Sequence, residues 1–196
     1  MSERHGPAPS TLAESLGQLA RLHAATWGDP TVAAAAWLAP RLHGHLKHRG
    51  VKEIRANFES EIGAGVPEEV RDPERLYRAY GVLAERTRDA PGWSVIHGDA
   101  HIANVYLDRD GRPSFLDWQL VQRGPWYLDL GYHLASALPD AERRRAEKDL
   151  LRHYLDELRA AGVEAPGWDE AWLDVRLGIL HGWYLWGITT KVALRT

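Results

Sequence analysis

The chain opens with apolar residues at the spacing of an amphipathic helix. Thr11, with Glu14 three positions later, forms a capping-box pattern. Four leucines then recur every three or four residues, the period that places side chains on one helix face: Leu12, Leu16, Leu19 and Leu22. This pattern predicts a first helix that ends near Ala25.

Helical spacing continues through the first half of the chain. An alanine-rich segment predicts a helix over residues 31–48, with Pro40 as a bend or boundary because proline has no backbone N–H to donate. Glycines and a proline over residues 63–67 predict a loop. Asp72 and Pro73 have the order of a helix cap and a first-turn proline, so the next helix is predicted from there to about Arg88.

The pattern changes to short extended runs in the middle of the chain. Residues 94–96, 104–107 and 113–116 are predicted strands, and the last two flank a turn of sequence Asp-Arg-Asp-Gly. Helical spacing then returns, with predicted helices over 127–137, 140–161 (ended by Gly162) and 168–193. The predicted fold class is therefore α+β, mostly α, with one small β-hairpin.

Composition narrows the class of protein. The 196 residues are 44% hydrophobic and 26% charged, as in a soluble globular domain. The net charge is −3, and the sequence shows no basic stripe of the kind that binds nucleic acid. No apolar run approaches the roughly 18 residues of a membrane span. Cysteine is absent, which excludes disulfides and cysteine-based zinc sites. We expect a cytoplasmic protein that binds neither nucleic acid nor membrane.

Polar residues cluster around the predicted hairpin with the spacing of a kinase catalytic loop. His97-Gly98-Asp99 is followed after four residues by Asn104, which matches the pattern His-x-Asp-x-x-x-x-Asn. Asp99 can accept the proton of an attacking hydroxyl, and Asn104 can present a carbonyl oxygen to Mg²⁺. Asp117 follows the second strand, and the hairpin would return it to the side of Asn104.

These motifs resemble those of the aminoglycoside phosphotransferase and choline-kinase-like superfamily, which is related to protein kinases. The resemblance is carried by HGDAHIAN from His97, by FLDWQ from Phe115 and by GPWYLDLG from Gly124. Leu19-Ala20-Arg21-Leu22-His23 also looks like the first helix of the family's C-terminal lobe. The strong motifs lie within residues 96–134, and the weaker likeness covers most of the chain.

The resemblance implies an activity and a set of roles. The activity is transfer of the γ-phosphoryl group of ATP, or GTP, to a hydroxyl of a small molecule. Asp99 would be the general base, and Asn104 and Asp117 would bind Mg²⁺ and, through it, the nucleotide. The implied supporting residues are His97, which would hold the loop, His101, which would support it or line the site, and Asp129, which would anchor the loop by hydrogen bonds.

Enzymes of this type also use an N-terminal lobe, whose features we do not find. The one Gly-x-Gly is Gly63-Ala64-Gly65, with Glu68 where a third glycine would fall, and no lysine lies in a β pattern before the catalytic loop. We therefore expect a C-terminal lobe alone, with residues 1–9 as a disordered start and 10–196 as one domain. Such a truncated chain would be weakly active or inactive by itself and could self-associate through the uncovered face.

Two other functions are compatible with parts of the sequence. A noncatalytic pseudokinase-like binding module would explain the absent lobe, although Asp99, Asn104 and Asp117 are all in place. A metal-dependent hydrolase could use His97, Asp99 and His101 as ligands, with more distant partners such as Asp117, Asp129 and His133. The hydrolase leaves Asn104 unexplained, so we favour the phosphotransferase.

Three further clusters have an ordinary interpretation that we favour. A solvated helix end is favoured over a metal site for His43, His45 and His48. Helix packing is favoured over a substrate pocket for Trp183, Tyr184 and Trp186. A charged surface is favoured over a site for a cationic substrate for four glutamates: Glu59, Glu61, Glu68 and Glu69.

Overall fold

Helices build most of the molecule in the computed structural model, which describes residues 9–88, 90 and 92–189. The helices are α1 (Pro9–Ala24), α2 (Pro30–Ala34), α3 (Leu42–His48), α4 (Val51–Phe58), α5 (Pro73–Arg88), α6 (Tyr127–Ala137), α7 (Asp140–Ala160) and α8 (Trp168–Gly187). The strands are β1 (Trp93–Ile96), β2 (Val105–Leu107), β3 (Pro113–Phe115) and β4 (Gln122–Pro125). The predicted class, mostly α with a small β component, is confirmed. Of the predicted disordered start, all but Pro9 lies outside the described residues.

The strands form two antiparallel pairs rather than one. The predicted hairpin is β2 with β3, in which Val105 lies opposite Phe115. The second pair joins β1, which the sequence predicted as a short extended run, to β4, which was not predicted; Ile96 lies opposite Gln122. Strand β4 has the sequence Gln-Arg-Gly-Pro, which carries no alternation of apolar and polar residues. Its strand conformation depends on the partner strand, so the local sequence does not reveal it.

The segment 31–48 is not one helix. Helix α2 ends at Ala34, a short 3₁₀ turn covers Ala36–Leu38, and α3 begins at Leu42. Ala39 is extended, with a ψ angle of 138°, because the ring of Pro40 disfavours helical backbone in the residue before it. Helix α4, which follows directly, was not predicted.

Of the last two helices, α7 ends where the sequence predicted, whereas α8 ends earlier than predicted. Helix α7 ends at Ala160, and Gly162 supplies a φ angle of +84° just beyond it, as predicted. Helix α8 ends at Gly187 rather than continuing to residue 193. Residues 190–196 lie outside the described part of the chain.

Helix α6 lies in the core and packs closely on α8 through glycines. A Cβ atom added to Gly178 would lie 1.8 Å from the carbonyl oxygen of Tyr127, and one added to Gly131 would lie 2.4 Å from the backbone of Gly178. Only hydrogen side chains therefore allow this approach of the two backbones. Because its buried face is held this closely, α6 is a firm support for the loop that precedes β2.

None of the helices among the described residues has the length and apolar character needed to cross a membrane.

Candidate active site

The two strand pairs bring the motif residues to one place. His97 directly follows β1, and the pairing of Ile96 with Gln122 sets it beside residues 118–121. The pairing of Val105 with Phe115 sets Asn104 beside Leu116, the residue before Asp117. The loop 97–104 and the segment 116–121 are therefore neighbours, as the sequence motifs require.

Hydrogen bonds join these two segments directly. The Nε2–H of the buried His97 donates to the Leu116 carbonyl at 2.9 Å, and its Nδ1 accepts from the Asp99 N–H at 3.2 Å. The Asn104 backbone carbonyl accepts from the Leu116 N–H at 2.9 Å. The Asn104 side-chain amide also donates to the Asp99 carbonyl at 2.9 Å. Both ring nitrogens of His97 are thus occupied, so His97 holds the loop and is not free to bind a metal.

Asp129, at the start of α6, binds the beginning of the loop. Its carboxylate accepts the N–H groups of His97 at 2.7 Å and Gly98 at 2.8 Å. His23 of α1 lies 3.2 Å from the same carboxylate and shares a 2.6 Å hydrogen bond with the Tyr154 hydroxyl. Burial acts to raise the pKa of Asp129, but His23, His97 and the Gly98 N–H together lower it below its ordinary value. The carboxylate is therefore a charged, buried anchor.

Two further residues of α6 hold the loop, and the sequence motifs did not identify them in this role. His133 Nδ1 lies 2.8 Å from the Ala100 carbonyl, to which it donates, and the Ile102 N–H donates to the Ser136 hydroxyl at 2.9 Å. Asp129, His133 and Ser136 are spaced four and then three residues apart, so they share one helix face. That spacing is a signal that the sequence offered. The three side chains fix the loop on both sides of Asp99.

Gly98 has a conformation that only glycine adopts easily. Its φ angle is +80°, and an added Cβ would lie 2.2 Å from the Leu120 carbonyl oxygen. The turn at Gly98 allows two successive N–H groups to reach Asp129, and it presents Asp99 beyond them. The glycine in the motif is therefore a geometric requirement for placing Asp99.

Asp99 lies at the edge of the interior, with 16% of its side chain exposed. Burial raises the pKa of its carboxyl; His101 and His97 oppose the rise, and Asp117 adds to it. The His101 Nε2 atom lies 3.7 Å from the carboxylate. Burial and the Asp99 charge also raise the pKa of the neighbouring Tyr132. A raised pKa makes Asp99 a stronger base than an exposed carboxylate.

Asp117 is set apart by its backbone. Its φ and ψ angles are 63° and 62°, a left-handed conformation that is uncommon outside glycine. Its side chain is exposed, and its carboxylate has one hydrogen bond among the described residues, from Gln119 Nε2 at 3.3 Å. Its charge contributes to the raised pKa of Asp99, so the two carboxylates are close. Strained backbone of this kind is concentrated at functional sites.

The side chains of Asn104 and Asp117 fit a magnesium ion in chemistry. Mg²⁺ prefers oxygen ligands, and it is bound in such enzymes by one or two carboxylates together with phosphate oxygens. Since the Asn104 amide nitrogen donates to Asp99, the amide oxygen is the atom left for a cation. No group of three His, Cys, Asp or Glu side chains with a metal-binding arrangement occurs within 9–88 and 92–189. The engaged ring of His97 argues against the hydrolase, which would use that ring as a metal ligand.

An open cleft of about 1140 Å³ begins at Asp99. The loop residues His101 and Ile102 form one end, and Tyr132 of α6 forms part of the wall. Gly182 leaves room for the Tyr132 ring, since an added Cβ would lie 2.3 Å from it. Helix α8 and the end of α3 complete the lining with Trp183, Trp186, His45 and Arg49. The cleft is large enough for a small-molecule acceptor beside Asp99.

Trp183 and Trp186 of α8, and His45 of α3, line the cleft, which the sequence did not favour for them. Trp183 and Trp186 stack on each other, with ring centroids 4.8 Å apart and planes at 9°, and Trp183 also stacks on Phe58. They pack as the sequence predicted, but they also line the cleft. His45 is half-buried at the same cleft rather than fully solvated.

A sequence model of the phosphotransferase enzyme family matches residues 2–171. The chain belongs to this family. The search of curated proteins gave no match. The matched range includes the loop and hairpin described above.

Solved structures with the same fold include aminoglycoside phosphotransferases. One is APH(3'')-Id from Streptomyces rimosus ATCC10970 in complex with ADP and streptomycin, with 22% identity and a TM-score of 0.52. Another is an aminoglycoside-3'-phosphotransferase of type VIII, with 21% identity and a TM-score of 0.53. The alignments cover 89% and 90% of this chain but 65% and 63% of those chains. This chain therefore spans less than two thirds of their length.

Proposed function

We propose that this member of the phosphotransferase family transfers the γ-phosphoryl group of ATP to a hydroxyl of a small molecule. The observation that supports this best is the position of Asp99 at the cleft, beside Asn104 and Asp117 and within a loop fixed by α6. Asp99 would accept the hydroxyl proton as the acceptor oxygen bonds to the γ-phosphorus. The bond from that phosphorus to the β–γ bridging oxygen breaks, and ADP leaves.

The nucleotide would be held through Mg²⁺ at Asn104 and Asp117. The ion, when bound, neutralises phosphate charge. The ADP in the Streptomyces rimosus structure supports a nucleotide ligand for this fold. His97, His101 and Asp129 would act as positioning residues, since the first and third fix the loop and the second lies beside the Asp99 carboxylate.

We also propose that this chain by itself turns over slowly. Gly63–Gly65 is a 3₁₀ turn between helical segments, and the described residues contain no strand–glycine loop–strand element that could cover phosphates. The same lack of a phosphate-covering element among the described residues would also suit a noncatalytic binding module, and it is the one observation that favours that module over a slow enzyme. Loss of turnover in a variant of Asp99 distinguishes the two.

Calorimetric titration with ATP, with and without Mg²⁺, tests the site. We expect weak binding that requires Mg²⁺ and that falls by about ten-fold or more in Asp117→Ala, because a ligand to the ion is lost. Asp110→Ala is the matched control, since this exposed carboxylate lies in the hairpin turn and should not affect binding. GTP in place of ATP measures the choice of nucleotide. Binding that is equal without Mg²⁺, or absent at millimolar nucleotide, would contradict a preformed magnesium site.

Apolar side chains exposed around the hairpin support self-association, which we propose for this face. Their exposed fractions range from 40% to 57%: Tyr106, Leu107, Leu116 and Trp118. Single exposed apolar residues are ordinary, but a group beside the candidate nucleotide site is typical of a contact surface. Sedimentation velocity at two protein concentrations should show a larger species at the higher one, and Leu107→Asp should reduce it. A monomer at both concentrations would rule the proposal out.

A further inference from the structure

We propose that the acceptor is an alcohol that carries a planar apolar group and an anionic group, and that it is not a polycation. This inference rests on the proposed phosphotransferase function, because it names the substrate that the cleft beside Asp99 would take. Three features of the cleft carry it: its lack of spare carboxylates, the guanidinium of Arg49, and the aromatic wall of α8.

The cleft offers few groups that could bind an ammonium. Among its described lining residues, Asp99 is the single carboxylate, and it is assigned to the hydroxyl proton. A polycationic aminosugar would bring several ammonium groups into the cleft, and charges that lose water need paired counter-charges. Glu59 and Glu68, two of the glutamates considered for a cationic substrate, line a separate cavity of about 410 Å³. Neither Glu61 nor Glu69 lines the cleft.

Arg49 provides the opposite charge. It follows α3, its N–H donates to the His45 carbonyl at 2.8 Å, and its carbonyl accepts from the Tyr184 hydroxyl of α8 at 2.8 Å. Its backbone is thus fixed while its exposed guanidinium makes no ion pair within 4.0 Å in the described part of the chain. The pKa of Glu53 is lowered chiefly by the Gly50 N–H, which donates to its carboxylate at 2.8 Å, and to a smaller extent by the charge of Arg49. The guanidinium is available for a ligand carboxylate or phosphate.

His45 lies beside Arg49 and supplies a neutral polar group. Its Nε2 atom is buried and has no hydrogen-bond partner among the described residues, although it lines the cleft. Burial and the charge of Arg41 lower the pKa of His45, so the ring is neutral at pH 7. An unpartnered polar atom in a cleft wall is stabilised when a ligand bonds to it. Arg49 and His45 together form a polar end that suits an anionic group.

The aromatic wall suits a flat apolar group. Trp183 and Trp186 lie half-buried at the cleft with parallel rings stacked on each other, and Phe58 lies against both, at centroid distances of 5.7 and 6.1 Å. Each stacked ring covers one face of the other, so a ligand meets the outer face or the edges of the pair, and stacking on an aromatic face is favourable for planar groups. The cleft is therefore lined by a base at Asp99, an aromatic pair on α8 and a cation at Arg49.

A matched set of probes tests the charge preference by calorimetry without nucleotide. The probes are 4-(hydroxymethyl)benzoate, the neutral 4-methylbenzyl alcohol, the cationic 4-(aminomethyl)benzyl alcohol, and streptomycin. We expect the benzoate to bind at least about ten-fold more tightly than the cationic alcohol, since a charge-assisted hydrogen bond replaces a repulsion. Arg49→Ala should abolish this preference and leave the neutral alcohol unaffected. Arg49→Lys should retain part of it. Lys47→Ala, two residues earlier in α3 and outside the cleft lining, should change nothing.

The outcomes separate this inference from the proposed function. Tighter binding of streptomycin or of the cationic alcohol, an unchanged preference in Arg49→Ala, or no measurable binding of the benzoate would overturn the acceptor class. ADP release from Mg²⁺–ATP is measured separately with each probe. Selective binding of the benzoate without ADP release in the presence of any acceptor would leave the acceptor class standing and count against the phosphotransferase. ADP release with streptomycin and with none of the other probes would support the phosphotransferase and overturn the acceptor class.

Discussion

Replacing Asp99 with Asn should lower the rate of phosphoryl transfer by about 10²- to 10⁴-fold, the usual contribution of a general base. The amide has the same shape as the carboxylate but cannot accept the acceptor proton. Asp99 contacts His97 through its backbone N–H and Asn104 through its backbone carbonyl, so the substitution leaves the hydrogen bonds that fix the loop. Burial of the charged carboxylate costs stability, which the neutral amide avoids, so turnover should fall without a loss in the free energy of unfolding.

The measurement is ADP release with Mg²⁺–ATP and a panel of acceptor alcohols that includes 4-(hydroxymethyl)benzoate. Asp110→Asn is the matched control, because it makes the same chemical change at an exposed position in the hairpin turn. Binding of Mg²⁺–ATP by Asp99→Asn should be within about two-fold of wild type, which assigns the defect to the chemical step. Turnover that survives the substitution would remove Asp99 as the base. Nucleotide binding without turnover in the wild type would favour the binding module.

Acidification from pH 6.5 to pH 4 should destabilise the fold through two buried histidines. Burial lowers the pKa of His133 to about 4, and burial together with His45 lowers that of His181 to about 4. Both rings are buried and neutral in the fold, whereas in the unfolded chain they become protonated near pH 6.5. The stability they contribute is complete above pH 6.5 and is lost as the pH falls towards 4. Each histidine accounts for up to roughly 3 kcal/mol of the free energy of unfolding.

Urea denaturation at pH 7 and pH 4.5 measures this loss. Other groups also titrate over that range, so the decisive quantity is the difference between wild type and a variant. His181→Gln and His133→Gln should each be less sensitive to pH than wild type, although each should be less stable at pH 7. His48→Gln, at an exposed position, should behave as wild type does. Equal pH sensitivity in all four proteins would show that neither buried histidine is responsible.

His133 links this acid sensitivity to the active site. Its ring bonds to the Ala100 carbonyl on one side and lies 2.8 Å from the Ser15 hydroxyl on the other. Protonation of that ring would place a charge in the buried contact that holds the loop directly after Asp99. Protonation of the folded ring, which burial opposes down to about pH 4, would therefore loosen the candidate base.

The sequence alone was sufficient to bring the candidate residues of the loop together and to predict most of the helices. His97, Asp99, Asn104 and Asp117 form a pattern of local spacing, and a hairpin between two motifs brings them together whatever surrounds it. Helices α1, α5, α6 and α7 have apolar residues at a regular period and clear end signals, so their positions followed from local rules. The residue types themselves specify proton acceptance and oxygen ligands for a cation.

Tertiary contacts decided the features that join distant parts of the chain. The pairing of β4 with β1 and the meeting of Arg49 with α8 have no local signal. The helical spacing of His133 and Ser136 places them on one face but does not say that this face contacts the loop. Each depends on which surfaces approach in the folded core, and the approach of α6 to α8 through Gly131 and Gly178 is what sets that arrangement. Local spacing thus determined the reactive groups, whereas packing determined how they are held and what the cleft beside them can bind.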